Sequence, residues 1–280
     1  MTGTDPMSPG CSTLRHFTVK CDGETLSCAA AVPHTSHPTP PARAAVVLLH
    51  GAGTSDTSRL TGLLSDFAAR GHHALAFDFS GHGDSSGRLS ELSLERRFAQ
   101  ARAVIDSRSP DGAPLVLIGF SMSGQTVADL MAHYGSRVAS IGLCAPAIYA
   151  PEAWSVPFGA GFTEIIRTPD SWRRSRALDV FRSLSTRAVL ATPLTDTIIP
   201  PAVTHAVAGA LATSRSRFTR LVHPEADHRL GQWFAANTVP RGRFIDTVLR
   251  DTVLSGTHPN QVLVRITPGS RVLPDSNERP

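Results

Sequence analysis

The sequence predicts an α/β fold in which a mostly parallel sheet is covered by helices on both faces. Continuous apolar runs such as 44–49 are typical of strands that are buried on both faces. Segments with helical spacing of apolar residues alternate with these runs, and such alternation is typical of parallel sheets. The start of the chain differs, because Asp22-Gly23 between two alternating runs predicts an antiparallel hairpin at one edge of the sheet.

The predicted elements follow one another in a regular order. The opening hairpin has strands at 17–20 and 25–32, and the proline-rich stretch 33–41 is predicted as a surface loop. Further strands are predicted at 44–49, 74–77, 114–118, 138–143, 188–191 and 218–222. Helices are predicted between them from the apolar spacing within 60–68, 94–105, 127–134, 203–211 and 245–249. The stretch 257–280 is predicted as a tail, with 261–266 as a candidate short strand.

Composition and charge exclude several classes of function. The hydrophobic fraction of 41% and the charged fraction of 18% are those of a globular protein. No apolar run approaches the roughly 18 residues of a membrane span, and the polar start lacks the features of a secretory signal. We therefore expect a cytoplasmic protein with no membrane partner. The net charge of +4 comes from scattered arginines, with Lys20 as the only lysine, so no nucleic-acid partner is predicted.

The cysteines predict neither a disulfide framework nor a metal site. The chain has four of them, at Cys11, Cys21, Cys28 and Cys144. Their spacing fits no zinc-binding pattern, and four are too few to stabilise a chain of this length by cross-links. We expect reduced thiols.

Ser121 is the candidate nucleophile. The segment Gly119-Phe120-Ser121-Met122-Ser123-Gly124 lies where the strand 114–118 gives way to the following helix. A serine on such a sharp turn holds its hydroxyl clear of the sheet, and small residues are needed two positions away because the strand and helix backbones nearly touch. Gly119 meets this need, whereas Ser123 stands where glycine is usual. The alternative, a turn without catalytic function, is disfavoured by the strand-to-helix context.

Two further stretches carry a resemblance to a known family. They are Val47-Leu48-Leu49-His50-Gly51-Ala52-Gly53 and Asp78-Phe79-Ser80-Gly81-His82-Gly83-Asp84-Ser85. With the serine turn, over roughly residues 15–255, they resemble the α/β-hydrolase superfamily, particularly its bacterial esterase, thioesterase and serine-aminopeptidase-like members. The resemblance implies the α/β-hydrolase fold and an oxyanion hole built from the backbone N–H groups of Ala52 and Met122. It also implies that His50 and His82 tie loops together.

The general base and the acid follow from the chain order that the resemblance implies, in which the serine precedes the acid and the acid precedes the histidine. Four histidines follow a suitable acid, namely His205, His223, His228 and His258. His228, in the loop after the last strand, is the preferred base, with His223 second. Asp196 is the preferred acid, because the loop after 188–191, with Ile199-Pro200 three residues beyond the aspartate, resembles the acid loop of the family. In that role it would orient the imidazole. The rival Asp227 is expected to cap its own loop.

The predicted domain organisation is a core interrupted by a short cap. The core comprises 15–146 and 188–256, the cap is 147–187, and the tail is 257–280. The cap carries a set of aromatic residues and isoleucines between positions 149 and 172. They are Tyr149, Trp154, Phe158, Phe162, Ile165, Ile166 and Trp172. Positions 158, 162, 165 and 166 have helical spacing and predict at least one short amphipathic helix. Two interpretations stay open, since these side chains either line an apolar acyl or aromatic pocket or only pack the cap onto the core.

Together these features predict a serine hydrolase that cleaves an ester or thioester, ahead of an amide, through a Ser-His-Asp triad and an acyl-enzyme. The expected partner is a small-molecule acyl substrate, and neither a metal nor an organic cofactor is predicted. One alternative is an acyltransferase, lyase or cyclase that uses the same triad. The other is a non-catalytic ligand-binding module on this fold.

Overall fold

A mixed sheet organises the residues that the computed structural model describes, which are 13–33, 44–109 and 112–250. Within these ranges the strands are β1 Thr13–Cys21, β2 Glu24–Val32, β3 Ala45–Leu49, β4 His73–Phe77, β5 Leu115–Phe120, β6 Val138–Cys144, β7 Arg187–Pro193 and β8 Arg217–His223. Their spatial order is β1-β2-β4-β3-β5-β6-β7-β8. Only the pairs β1/β2 and β2/β4 are antiparallel within this sheet. The predicted mostly parallel sheet with an antiparallel hairpin at one edge is confirmed.

The helices connect the strands as the apolar spacing predicts. They are α1 Thr61–Ala69, α2 Leu94–Arg108, α3 Ser123–Tyr134, α4 Phe162–Arg167, α5 Ala177–Arg182, α6 Pro201–Thr213, α7 Leu230–Ala236 and α8 Thr238–Leu249. The five helices predicted outside the cap correspond to α1, α2, α3, α6 and α8. Helix α7 was not predicted, because its seven residues bury only Leu230 and Phe234 and show too little periodicity.

Helices cover the sheet on both faces. This arrangement explains why strand β3 is apolar at every position. Val47 and Leu49 pack into the cluster that contains residues of α2, α3, α5 and α6. Val46 and Leu48 pack into the opposite cluster with residues of α1, α7 and α8. Since successive side chains of a strand point to opposite faces, a strand with helices on both sides needs an apolar residue at every position.

The opening hairpin turns at Asp22-Gly23 as predicted. Asp22 has φ +50° and Gly23 has φ +76°, and two positive φ values are what a type I′ turn requires. Cys21 lies opposite Glu24 in the ladder and Cys28 lies opposite Phe17, and both thiols are free, as is that of Cys144.

Several predictions concern residues outside the described ranges. These are most of the loop 33–41, the tail 257–280 with its candidate strand 261–266, and the individual residues Cys11 and His258. Among the described residues, no helix has both the length and the apolar character that a membrane span needs.

The segment between β6 and β7 contains two short helices, α4 and α5. The predicted short amphipathic helix is confirmed as α4, which begins at Phe162. Phe158 precedes this helix instead of forming part of it, and its ring packs on Phe162 with the ring centroids 4.6 Å apart. The helical spacing at 158 therefore reflects a shared packing surface and not a continuous helix.

Candidate active site

Ser121 occupies the sharp turn between β5 and α3. It has φ +52°, a left-handed conformation that is uncommon for a residue with a side chain. Its N–H donates to the Cys144 carbonyl oxygen at 2.9 Å, and its own carbonyl oxygen accepts from Gly124 and Ala147, each at 2.9 Å. These backbone hydrogen bonds hold the strained turn in place, so the Ser121 side chain is presented at the carboxyl end of β5.

Gly119 is required by the close approach of β5 and α3. A Cβ placed at this position would lie 2.5 Å from the Ser123 carbonyl oxygen. We expect Gly119→Ala to lower the free energy of unfolding by about 1–3 kcal/mol, because backbone atoms would have to move. Urea denaturation measures this change. The matched control is Gly209→Ala in α6, where a new Cβ meets nothing within 4 Å. That control is expected to raise stability by up to about 1 kcal/mol, and equal effects at both positions would contradict the steric argument.

Three side chains from separate loops form one hydrogen-bonded line. The Nε2 atom of His228 lies 2.9 Å from the Ser121 Oγ, and its Nδ1 atom lies 3.0 Å from the Asp196 Oδ2. Asp196 lies between β7 and α6, and His228 lies between β8 and α7. Because β5, β7 and β8 are parallel, the loops after them meet at one edge of the sheet.

Asp196 is held as a carboxylate that faces the imidazole. Its Oδ1 atom accepts the backbone N–H groups of Ile198 at 2.8 Å and Ile199 at 2.9 Å. Burial raises the pKa of Asp196, but hydrogen bonds from His228, Ile199 and Ile198 outweigh it, so the pKa lies below its usual value. With a carboxylate at Nδ1, the neutral imidazole carries its proton there and presents Nε2 to Ser121 as an acceptor.

The rival acid and bases lie elsewhere. Asp227 accepts from the backbone N–H and from the guanidinium of Arg229, as expected for a carboxylate that caps its loop. The His223 ring is buried against Trp233 and Phe234, with the Trp233 ring 4.8 Å away between centroids. His205 is exposed on α6.

The loop after β3 passes directly beside the nucleophile. A Cβ on Gly51 would lie 3.2 Å from the Ser121 Cβ, so glycine permits this close approach. Ala52 packs against the buried cluster that contains Met122. Within the described ranges, neither the Ala52 N–H nor the Met122 N–H donates to a backbone oxygen. Both predicted oxyanion donors therefore lie next to Ser121 without a backbone acceptor in that part of the chain.

His50 holds this loop through its ring. The Phe79 N–H donates to His50 Nε2 at 3.0 Å, and His50 Nδ1 lies 2.7 Å from the Gly51 carbonyl oxygen. Burial, reinforced by the Arg97 guanidinium, holds the pKa of His50 well below its usual value, so the ring is neutral. Since Nε2 accepts, Nδ1 carries the proton and donates to Gly51. The His82 ring packs 4.8 Å from the His50 ring between centroids.

The Asp-x-x-Gly-x-Gly-x-Ser stretch folds around the carboxylate of Asp78. The Asp78 Oδ1 accepts the N–H of Thr57 at 2.7 Å and its hydroxyl at 2.6 Å. Ser85 donates its hydroxyl to the Asp78 carbonyl oxygen at 2.6 Å. Gly83 is needed because a Cβ there would overlap the Asp78 carboxylate. This stretch thus supports the segment before α1.

One charged residue of the site region was not identified from the sequence. Arg97 on α2 is completely buried and donates to the His50 carbonyl oxygen and to the Ser123 hydroxyl. The signal that could have found it is its position, because Leu94, Arg97, Ala101 and Val104 share the buried face of α2. A charged residue on an apolar helical face is unusual enough to require an explanation.

An apolar wall from the segment between β6 and β7 stands beside Met122. Leu94, Met122, Ala153 and Phe162 form a buried cluster. Partly buried apolar side chains pack on it, including Tyr149, Trp154, Val156, Phe158, Ile165 and Ile166. No group of three or more potential metal-ligating side chains was found among the described residues.

Part of the sequence matches the model of a known protein family. The family model described as "Serine aminopeptidase, S33" matches residues 40–185, just over half of the chain. That range contains Ser121 and ends before Asp196 and His228. The "Multifunctional-autoprocessing repeats-in-toxin" of Vibrio cholerae serotype O1 is 29% identical over 101 residues, which are 35% of this chain. The chain covers only 2% of the length of that protein.

Solved structures share the fold. The Pyrococcus furiosus esterase Pf2001 has a TM-score of 0.60 and 18% identity, covering 85% of this chain and 93% of that one. The thioesterase domain from the curacin biosynthetic pathway has a TM-score of 0.62 and 15% identity, covering 84% of this chain and 99% of that one. The family match, together with this fold, shows that the chain belongs to the serine aminopeptidase, S33, family and has the α/β-hydrolase fold.

Proposed function

We propose that this protein is a hydrolase that cleaves an ester or thioester through an acyl-enzyme formed on Ser121. The observation that carries the proposal is the hydrogen-bonded line from Ser121 through His228 to Asp196, with distances of 2.9 and 3.0 Å. A serine hydroxyl is a weak nucleophile until a neighbouring base removes its proton, and His228 Nε2 is within reach to do so.

The proposed reaction has two halves. Ser121 Oγ attacks the acyl carbon while His228 takes the hydroxyl proton, and Asp196 stabilises the imidazolium that forms. The bond to the leaving alcohol or thiol breaks, and His228 returns the proton to that group. Water then attacks the acyl-enzyme with His228 as base, and the bond to Ser121 breaks, which releases the acid and restores the serine.

The oxyanion of each tetrahedral intermediate is assigned to the N–H groups of Ala52 and Met122. The proposal is supported by their position beside Ser121 and by the lack of a backbone acceptor for either within the described ranges. Backbone donors suit this task because they are fixed before charge develops.

The segment 147–187 is proposed as a cap that contributes to the acyl site, with the rest of 15–256 as the core. Its aromatic and aliphatic side chains pack on Met122, the residue next to the nucleophile. An apolar wall at this place favours a small-molecule substrate with an apolar acyl group over a charged one.

The test compares leaving groups on one acyl chain. The three substrates are p-nitrophenyl butyrate, the S-butyryl thioester of N-acetylcysteamine and butyryl p-nitroanilide. We expect kcat/KM for the ester and for the thioester to be at least about tenfold higher than kcat/KM for the anilide. Leucine p-nitroanilide is included because the family description names aminopeptidases. A kcat/KM for this anilide above that of both the ester and the thioester would replace the proposal by an aminopeptidase function. Added ethanol separates the remaining alternative, since ethyl butyrate as the main product would indicate acyl transfer.

A further inference from the structure

The guanidinium of Arg97 is buried without a carboxylate partner. The side chain is 0% exposed, and no carboxylate oxygen of the described residues lies within salt-bridge distance. Burying a charge in this way is unfavourable unless hydrogen bonds compensate for lost hydration. Apart from Gln100, the other buried residues of α2 are apolar, so an arginine at this place needs an explanation other than stability.

Its hydrogen bonds form a closed triangle around one carbonyl oxygen. Arg97 Nη2 donates to the His50 carbonyl oxygen at 2.8 Å and to the Ser123 Oγ at 2.8 Å. The Ser123 hydroxyl donates a hydrogen bond to the same carbonyl oxygen at 2.6 Å. The Arg97 Cζ lies 3.6 Å from the centroid of the Phe79 ring, which fixes the guanidinium plane. The triangle ties α2, the first turn of α3 and the loop after β3 into one unit.

The carbonyl that Arg97 and Ser123 hold lies at the start of the loop beside Ser121. The next carbonyl, that of Gly51, accepts from the His50 ring at 2.7 Å. Two consecutive peptide planes are thus held by their oxygens. In a trans peptide the N–H points away from the C=O, so fixing the Gly51 oxygen also fixes the direction of the Ala52 N–H.

We propose that Arg97 and Ser123 are positioning residues for the reaction. They clamp the His50 carbonyl and so hold the loop after β3, which carries the Ala52 N–H, in place relative to the turn at Ser121. The clamp explains why a hydroxyl stands at position 123, where glycine is usual. It also leaves a fixed positive charge behind the site at which negative charge develops. This inference rests on the proposed function of Ser121.

The charge is retained at neutral pH. Burial lowers the pKa of Arg97 to about 9, which still leaves the guanidinium protonated at pH 7. Fixed charges and dipoles act strongly in a site from which water is excluded, and they act on the transition state more than on the bound substrate. The expected signature is therefore a fall in kcat with little change in KM.

The experiment measures kcat for p-nitrophenyl butyrate per active site, with the sites counted by complete fluorophosphonate labelling. We expect Arg97→Met to lower kcat per labelled site by about 10- to 100-fold, and Ser123→Ala by at least about fivefold. Arg97→Lys should recover only part of the loss, because an ammonium group lacks the planar guanidinium that packs over the Phe79 ring. The double variant should lose less than the product of the single losses, since both residues hold one carbonyl.

Arg102→Met is the matched control, because Arg102 lies exposed on the same helix and the charge change is identical.

A second readout compares the binding affinity for butylboronic acid, which forms a tetrahedral adduct on the serine, with the binding affinity for butyrate. Affinity for the boronic acid should fall in Arg97→Met, and affinity for butyrate should not. A residue that only stabilised the fold would reduce the number of labelled sites and leave both affinities per site unchanged.

Two outcomes overturn the inference. The first is a kcat per labelled site in Arg97→Met that equals that of Arg102→Met. If Arg97→Met does not fold, unchanged kcat per site in both Ser123→Ala and Arg97→Lys overturns it as well. Failure of the proposed function is recognised separately, because the folded wild-type protein would then take up no fluorophosphonate at Ser121.

Discussion

Ser121→Ala is expected to lower kcat for ester hydrolysis by about 10⁶-fold, the loss found when a triad nucleophile is removed. The reason is that, among the described residues, only the Ser121 hydroxyl forms a hydrogen bond with His228 Nε2, at 2.9 Å. His228→Ala should cost nearly as much, and the two losses should not add, because the serine and the histidine act as one unit. The measurement is fluorophosphonate labelling with peptide mapping, combined with kinetics on p-nitrophenyl butyrate.

The control for this experiment is Ser183→Ala, an exposed serine at the end of α5. It should label and turn over substrate like the wild type. Adduct on Ser121 that disappears in both triad variants supports an activated nucleophile. If the folded wild type remains unlabelled, the acyl-enzyme proposal fails and a ligand-binding module on this fold becomes the better interpretation.

The fold could be predicted because its signals are local. The run 44–49 is apolar at every position, and this alone indicates a strand with helices on both faces. The elbow is predictable for the same reason, since Gly119 and Ser121 are two residues apart and the backbone clash that selects glycine is local. Helix α7 gave no such signal, because seven residues are too few to show a period.

The hydrogen bonds that hold the His50 carbonyl oxygen could not be predicted, because they are tertiary contacts. Arg97 is 47 residues from His50 and 26 residues from Ser123 in sequence. Its charge on the buried face of α2 was visible, but no pattern in the chain says which oxygens a buried guanidinium meets. Ser123 likewise stood out only as a departure from glycine. What its hydroxyl donates to depends on how α3 packs against the loop after β3.

Asp196→Asn is expected to lower kcat by about 10⁴-fold while leaving the fold intact. The asparagine Oδ1 can still accept the N–H groups of Ile198 and Ile199, so the loop geometry is preserved. The amide nitrogen then faces His228 Nδ1 and can only donate. The imidazole must therefore accept at Nδ1 and carry its proton on Nε2, where it can no longer take the proton of Ser121.

Asp227→Asn is the matched control, with the same change one residue before His228 in sequence. Asp227 faces Arg229 and not the imidazole, and its side chain is 47% exposed. Exposed ion pairs contribute at most about 1 kcal/mol to stability, so the fold should be retained. Because Asp227 does not face the imidazole, kcat should stay within about threefold of wild type. Kinetics and thermal unfolding of the two variants, measured side by side, decide the assignment. A large loss of kcat in Asp227→Asn with little change in Asp196→Asn would transfer the role of the acid to Asp227.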